Sequence, residues 1–285
     1  MESVGIIGGS GLYEIDGLEK IEYKSVNTPW GDPSDKIITG YLNDVKMFFL
    51  PRHGRGHTIM PTYINYRANI YAMKLLGVGR IISVSAVGSM KEHIQSGDVV
   101  IPDQFIDFTK HRSQSFFGDG IVAHVSMADP ICPVLSDTLY KIVNDLQAKV
   151  HKGGTYICIE GPQFSSKSES RLFRTWDVDV IGMTNMPEAR LAREAEICYA
   201  TLALSTDYDC WHADHDNVTM EDIINILNKN TELARKVIEK SVKYLETELT
   251  CSCSQSLKNA VITSRDSIPP DVKKKYGVLI RKYFQ

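Results

Sequence analysis

Apolar positions along the chain follow two rhythms. Short runs at residues 4–7, 36–41, 45–50, 80–84, 98–106, 155–159 and 179–182 have strand length, as does 200–206 with Ile197-Cys198-Tyr199 before it. Such runs, nearly continuous in Val, Ile and Leu, suit strands buried on both faces. Between them apolar residues recur at helical spacing. Ile64, Ala68, Tyr71, Ala72 and Leu75 predict a helix opened by Pro61 and Thr62 and stopped by Gly77. Leu135, Leu139, Ile142, Val143 and Leu146 predict one from Pro133 to residue 150, and the longest runs from Thr219 to residue 249. Ser166 followed by Glu169 spells a capping box, and Pro187 stands where a helix to residue 196 would begin. Asn43-Asp44 predicts a hairpin turn, and Pro102 predicts a kink or an edge position for the run 98–106. Alternating strands and helices with one early hairpin imply an α/β fold: a single domain over residues 1–285, with a mixed twisted central sheet flanked by helices. Residues 250–285 form a tail whose Lys273-Lys274-Lys275 run reads as a solvated helix face.

Composition narrows the partners. A 285-residue chain with 43% hydrophobic residues can bury a substantial core. A net charge of -3 lacks the basic footprint of a nucleic-acid binder and favours a small-molecule partner. No apolar run approaches the roughly 20 residues of a membrane span, and Met1-Glu2-Ser3 brings no basic leader, so a soluble, cytoplasmic protein is expected. Cys132, Cys158, Cys198, Cys210, Cys251 and Cys253 lack the paired CxxC spacing of a zinc site and read as core thiols. Cys251-Ser252-Cys253 is the exception, either a strained, readily reduced disulfide or two unpaired thiols in the tail.

The candidate chemistry stands at strand ends. Gly8-Gly9-Ser10-Gly11 is either an anion nest or a tight turn, without the spacing of a P-loop or a dinucleotide fingerprint. Arg52 and His53, in a loop that also holds Arg55 and His57, form either a clamp for an anion or a solvated basic loop. Ser85 and Gly88 repeat the pairing of hydroxyl and glycine. Asp207 and Asp209, two apart in extended chain, either project together from the end of a buried strand or cap the turn that follows.

Gly5-Ile6-Ile7-Gly8-Gly9-Ser10-Gly11, Arg52-His53-Gly54 with His57-Thr58-Ile59-Met60-Pro61, Glu160-Gly161-Pro162-Gln163-Phe164-Ser165-Ser166, Met183-Thr184-Asn185-Met186-Pro187-Glu188 and Thr206-Asp207-Tyr208-Asp209-Cys210-Trp211 together closely resemble the 5'-methylthioadenosine phosphorylases, in the trimer-forming branch of the purine nucleoside phosphorylase family. The resemblance runs from the N-terminus to about residue 245. It implies cleavage of the adenine–ribose bond by inorganic phosphate as co-substrate, with no metal or other cofactor. Carried over by motif, Ser10, Arg52, His53, Ser85, the Ala86 amide and Thr184 resemble the phosphate set. Phe164, Ile181 and Met183 resemble the base and ribose lining, and Asp207 and Asp209 the pair at the adenine edge. Met220, Ile223 and Ile224 match the apolar 5' pocket, and His124 a residue reaching in from a neighbouring subunit. A homotrimer or a dimer of trimers is therefore expected, without nucleic-acid or membrane partners.

Three departures stand out: serine at Ser10 and Ser85 where threonine is familiar, Gly182 where a larger polar residue is familiar, and a Cys-Ser-Cys tail like that of some hexameric, less selective thermophilic archaeal members.

The residues themselves suit that chemistry. Adenine N7 grows more basic as the glycosidic bond lengthens, so Asp207 would carry or capture a proton there, an acid made easier to protonate by a second carboxylate nearby. Asp209 would accept from the N6 amine, and an ionised acid facing O6 of a 6-oxopurine would pair acceptor with acceptor. An apolar 5' pocket would leave adenosine as a slower substrate. Competing readings are a purine nucleoside phosphorylase of broad range, a hydrolase that uses water, and a non-catalytic nucleoside-binding protein. A dinucleotide oxidoreductase fits least.

Overall fold

The structure, a computed structural model, describes residues 3–9, 11–212, 220–245 and 251–284, and their side chains except at 220, 222–224 and 245. Its centre is four parallel strands in the order β4 (Val45–Pro51), β1 (Ser3–Gly8), β5 (Val78–Ser89) and β11 (Cys198–Tyr208). Their side chains are buried almost throughout, as the unbroken apolar runs require. The 12-residue β5 is the trunk of the sheet. β11 follows it from Arg80 to Ser89, whereas its other edge is shared by β1 as far as Ser83 and by antiparallel β10 (Val180–Gly182) at Gly88 and Ser89.

The remaining strands are β2 (Glu19–Lys24), β3 (Ile37–Leu42), β6 (Val99–Ile101), β7 (Gln104–Phe108), β8 (Val150–Lys152) and β9 (Thr155–Ile159). One edge runs outward through β3 to β2 and another through β9 to β7, while β6 joins β11 to β8. The helices are α1 (Tyr66–Leu75), α2 (Pro133–Asp145), α3 (Lys167–Thr175), α4 (Asn185–Glu194), α5 (Met220–Leu245) and α6 (Pro270–Ile280). The first and fourth pack together, as do the second and fifth. The expected mixed α/β sheet flanked by helices is what forms.

Local chemistry explains where elements begin and end. Asn43 and Asp44 both take left-handed backbone, φ 48° and 64°, and close the hairpin between β3 and β4. Pro102 splits the run 98–106, so that β6 pairs with β8 and β11 while β7 pairs with β9. The helix expected from Pro61 arrives in two steps, a 3-10 turn at Pro61–Tyr63 and then α1, capped by the Asn65 side chain on the Ala68 amide. α2 stops short of residue 150 because the chain turns through Gln147 (φ 58°) into β8. Ser166 and Glu169 make both bonds of the capping box on α3. Met186 is non-helical, so the regular turns of α4 start at Pro187 and end at Glu194, short of residue 196.

β2 is an addition to the sequence reading: its exposed side chains make no apolar run. The C-terminal segment is also more than a tail. Tyr276 of α6 is fully buried, stacks on Phe117 at 5.5 Å, and donates to the Phe116 carbonyl at 2.8 Å. Lys273 and Lys274 are exposed, whereas Lys275 is half-buried and pairs with Asp119 at 2.7 Å.

Candidate functional site

Strand pairing brings the candidate residues to one strand. Gly8 lies beside Pro51, and the Arg52 amide donates to the Gly8 carbonyl at 2.8 Å, so the glycine loop and the Arg52-His53 loop leave the sheet together. Ile7 lies beside Ser83, two residues before Ser85. A Cβ on Gly8 would come within 2.4 Å of Leu12 Cδ1 and 3.1 Å of Val84 Cβ, so a side chain there would have to push the Leu12 tip aside and crowd β5. Further along β5, Gly88 has Ile181 on one side and Asp207 on the other. The three residues from Ser85 to Gly88 span about 10 Å along the strand, so β5 carries the hydroxyl and the neighbour of Asp207 within the length of one small molecule. Ser10 lies outside the described residues, as do the side chains of Met220, Ile223 and Ile224.

Arg52 departs from the reading of a solvated basic loop. It is 2% exposed and grips the carboxylate of Glu188, itself 0% exposed, through Nε at 2.8 Å and Nη2 at 3.0 Å. Nη1 donates to the Val84 carbonyl and Nη2 to the Ile7 carbonyl and Ser83 Oγ. Ser83 and Tyr199 donate to the same carboxylate at 2.8 and 2.9 Å. Burial works against the guanidinium charge, and Glu188 more than restores it. The anion that a buried arginine requires therefore comes from the chain itself. Sequence reading missed Glu188, whose signal was a carboxylate one residue into a helix opened by Pro187.

His53 is half-buried, its Nδ1 set 2.8 Å from the Ile59 carbonyl and its ring stacked on His57 at 4.1 Å. Burial, reinforced by Arg52 and His57, pushes its pKa down to about 4. Because a carbonyl only accepts, Nδ1 carries the hydrogen, and at neutral pH Nε2 keeps a lone pair. The residue is a neutral acceptor, not a second cation.

Ser85 Oγ lies 3.3 Å from Thr184 Oγ1 and 3.1 Å from the Tyr156 hydroxyl. Thr184 precedes α4 without spending its hydroxyl on the cap. Tyr156 was not singled out from the sequence, and it accounts for Gly182: a Cβ there would stand 1.9 Å from the Tyr156 oxygen. The tyrosine fills the space that a larger residue at position 182 would need. Its fully buried hydroxyl is pushed up in pKa by that burial and stays neutral.

A β-bulge between Ser205 and Asp207 re-aims the end of β11. Asp207 Oδ1 accepts from Thr206 Oγ1 at 2.7 Å. Asp209 is 7% exposed, its amide donating to the Ser89 carbonyl at 3.0 Å and its Cβ 3.7 Å from where a Gly88 Cβ would point. The following turn uses backbone, the His212 amide donating to the Asp209 carbonyl. Ile181 and Met183 adjoin this end, Met183 Sδ lying 2.6 Å from the Cβ position of Gly161. The loop 160–166 is tied to the acids through Cys210, whose thiol donates to the Ser165 carbonyl at 3.3 Å, yet Phe164 on that loop is 84% exposed. Glu160 anchors the loop: burial alone would raise its pKa, but the Lys110 and His111 amides, the Thr62 hydroxyl and Arg112 hold it at about 2. His124 stands apart, exposed, with its amide on the Ala260 carbonyl at 2.8 Å. Among the described residues no helix is long and apolar enough to cross a membrane.

Residues 3–243 match the phosphorylase superfamily. An S-methyl-5'-thioadenosine phosphorylase from Geobacter sulfurreducens is 54% identical over 281 residues, 98% of each chain. The solved structure of a methylthioadenosine phosphorylase from an Antarctic soil metagenomic library superposes with a TM-score of 0.95 at 48% identity, covering 98% of each chain. A serine-to-threonine mutant of the adenosine/methylthioadenosine phosphorylase of Schistosoma mansoni, solved with methylthioadenosine, superposes with a TM-score of 0.83 at 33% identity over 90% of this chain and 96% of its own.

Proposed function

The chain belongs to the phosphorylase superfamily, and from that premise we propose that it is a pentosyltransferase that cleaves 5'-methylthioadenosine with phosphate to adenine and 5-methylthioribose-1-phosphate. The observation that carries this reading is β5, which sets Ser85 and Ala86 about 10 Å or less from Gly88 and its neighbours Ile181 and Asp207. The activity serves purine and methionine salvage.

In this reading phosphate rests on the hydroxyls of Ser10, Ser85 and Thr184 and on the Ala86 amide, with Tyr156 holding Ser85 in place. Neutral His53 offers Nε2 to a protonated phosphate oxygen. Arg52, its charge matched by Glu188, contributes chiefly by fixing the loop, and one Nη1 hydrogen, uncommitted among the described residues, is offered to the phosphate. This arrangement orients the nucleophile toward C1' as the sugar takes on oxocarbenium character. Asp207 delivers a proton to N7 and Asp209 accepts from the N6 amine. Ile181 and Met183 line base and ribose, Phe164 closes over the base from its loop, and Met220, Ile223 and Ile224 line the 5' end.

The resemblance that gives His124 a place in a neighbour's 5' pocket, together with its exposed position, supports a trimer, or a pair of trimers. The chemistry needs no cofactor beyond phosphate. A cytoplasmic setting suits this small-molecule substrate.

A nucleoside panel followed by free purine release, with and without phosphate, tests the reading. Adenine release from methylthioadenosine should require phosphate, adenosine should react more slowly, and inosine should be a poor substrate. Release without phosphate would indicate a hydrolase, and equal rates on inosine a broad-range phosphorylase.

A further inference from the structure

Cys132, Cys198, Cys251 and Cys253 converge, although no sequence spacing marks them as a set. Cys132 precedes α2, Cys198 opens β11, and the other two come from the segment beyond α5. All four thiols are free, and their sulfurs lie within 4.8 Å of one another, with Cys198 and Cys251 at 3.3 Å. Cys132 and Cys198 read from the sequence as core thiols and Cys251-Ser252-Cys253 as a disulfide or two unpaired thiols; Cys132 and Cys198 are buried, and the fold brings all four together.

We propose that these four cysteines bind one zinc ion in a closed, structural site that fastens the C-terminal segment to the sheet. Zinc–sulfur bonds of about 2.3 Å in a tetrahedron set sulfurs about 3.8 Å apart, so no pair stands more than about 1 Å wider than required, and Cys198 and Cys251 at 3.3 Å already stand close enough. Four thiolates and no open position define a structural centre, and sulfur-only tetrahedral ligation favours zinc. Binding displaces the thiol protons to solvent, leaving a zinc tetrathiolate of net charge two minus.

The surroundings suit that charge and that rigidity. Arg193 Nη1 lies 3.7 Å from Cys253 Sγ, and Lys282 Nζ donates to the Ser254 carbonyl at 2.6 Å. Ser256 Oγ donates to the Arg193 carbonyl at 2.5 Å and the Leu257 amide to Glu196 at 3.2 Å, while the Cys132 amide donates to the Tyr199 carbonyl at 2.9 Å. Cys132, Cys198 and Cys253 are buried and Cys251 is half-buried, which leaves one side for metal entry. The centre is remote from the chemistry, since Asp207 stands nine residues along β11 from Cys198, about 30 Å in extended chain.

The test is metal analysis of the full-length protein, purified under reducing conditions with zinc and then desalted, alongside a thiol count after denaturation. The expected result is about one zinc per chain with six titratable thiols, and loss of at least nine-tenths of that zinc in the Cys251→Ser/Cys253→Ser double variant. Cys210→Ser should keep its zinc. A folding defect in the double variant would not obscure the outcome, because cobalt added to the metal-stripped wild type should give intense thiolate-to-cobalt absorption. Free thiols without metal, iron in place of zinc, or two disulfides per chain with no cobalt signal would each overturn the proposal. None of these outcomes depends on the phosphorolytic activity.

Discussion

Asp207 and Tyr156 make different demands on a single substitution. Asp207→Asn preserves size and leaves Thr206 Oγ1, which now donates to Asp207 Oδ1, an acceptor. It supplies an N–H to N7 but no proton that can leave with the base. Turnover of methylthioadenosine at saturating phosphate should fall by about 10² to 10⁴-fold with little change in nucleoside KM, and a near-normal kcat would remove the proton-donor role. Tyr156→Phe keeps the packing against Gly182 and deletes one partner of Ser85. A hydrogen bond worth about 1 kcal/mol corresponds to a rise of about fivefold in phosphate KM. Gly182→Ala should cost more, because its Cβ would overlap the tyrosine oxygen at 1.9 Å and displace it from Ser85. Combining the two changes should add little to Gly182→Ala alone, since both break the same contact. Steady-state kinetics with varied phosphate decides it; an unchanged KM in both variants would remove Tyr156 from the phosphate site.

Between elements, the Arg52–Glu188 pair joins the loop after β4 to α4, and through Ile7, Ser83 and Val84 to β1 and β5. Glu188→Gln leaves a buried guanidinium without its counter-charge, and removing one partner of such a pair destabilises by about 3–5 kcal/mol. Urea unfolding should register that loss, and a change below about 1 kcal/mol would mean that water reaches the pair. The same pair shows where sequence reading stops. The strands of the central sheet are legible because burial on both faces makes them apolar without interruption, and the Asn43-Asp44 turn and the Ser166–Glu169 box are legible because their chemistry is local. Residues Arg52 and Glu188 are 136 positions apart, so the need for an anion could be read at Arg52 but its source could not. β2 left no trace because an exposed edge strand carries no apolar pattern. Tyr156 gave none either, because what matters is the missing side chain at Gly182 across the β9–β10 pairing.

For the molecule as a whole, the largest shifts among buried or half-buried carboxyl and imidazole groups fall on Glu160, His53 and Glu194, and they do not pull stability the same way with pH. Glu160 is held at about 2 against an ordinary 4.5, so the unfolded chain binds its proton first. That contribution is present above pH 4.5 and is lost as pH falls toward 2. His53, pushed down to about 4 from 6.5, has the same sign: its contribution is complete above pH 6.5 and is lost as pH falls through 4. Glu194 has the opposite sign. Burial pushes it up to about 7, although the Ser115 hydroxyl and the Phe116 amide donate to it. Its folded form keeps a proton that the unfolded chain releases, so stability falls as pH rises from 4.5 to 7. Between pH 4.5 and 6.5 the histidine and Glu194 oppose each other and the midpoint of urea unfolding should be nearly flat. Below pH 4.5 Glu160 and His53 act together and the midpoint should drop steeply. Glu194→Gln removes the falling branch, so its midpoint should rise with pH from 4.5 to 6.5 and stand above the wild type at pH 7. If the wild type itself climbs steadily across that window, Glu194 is ionised in the fold, and the acid limb alone governs how the protein responds to pH.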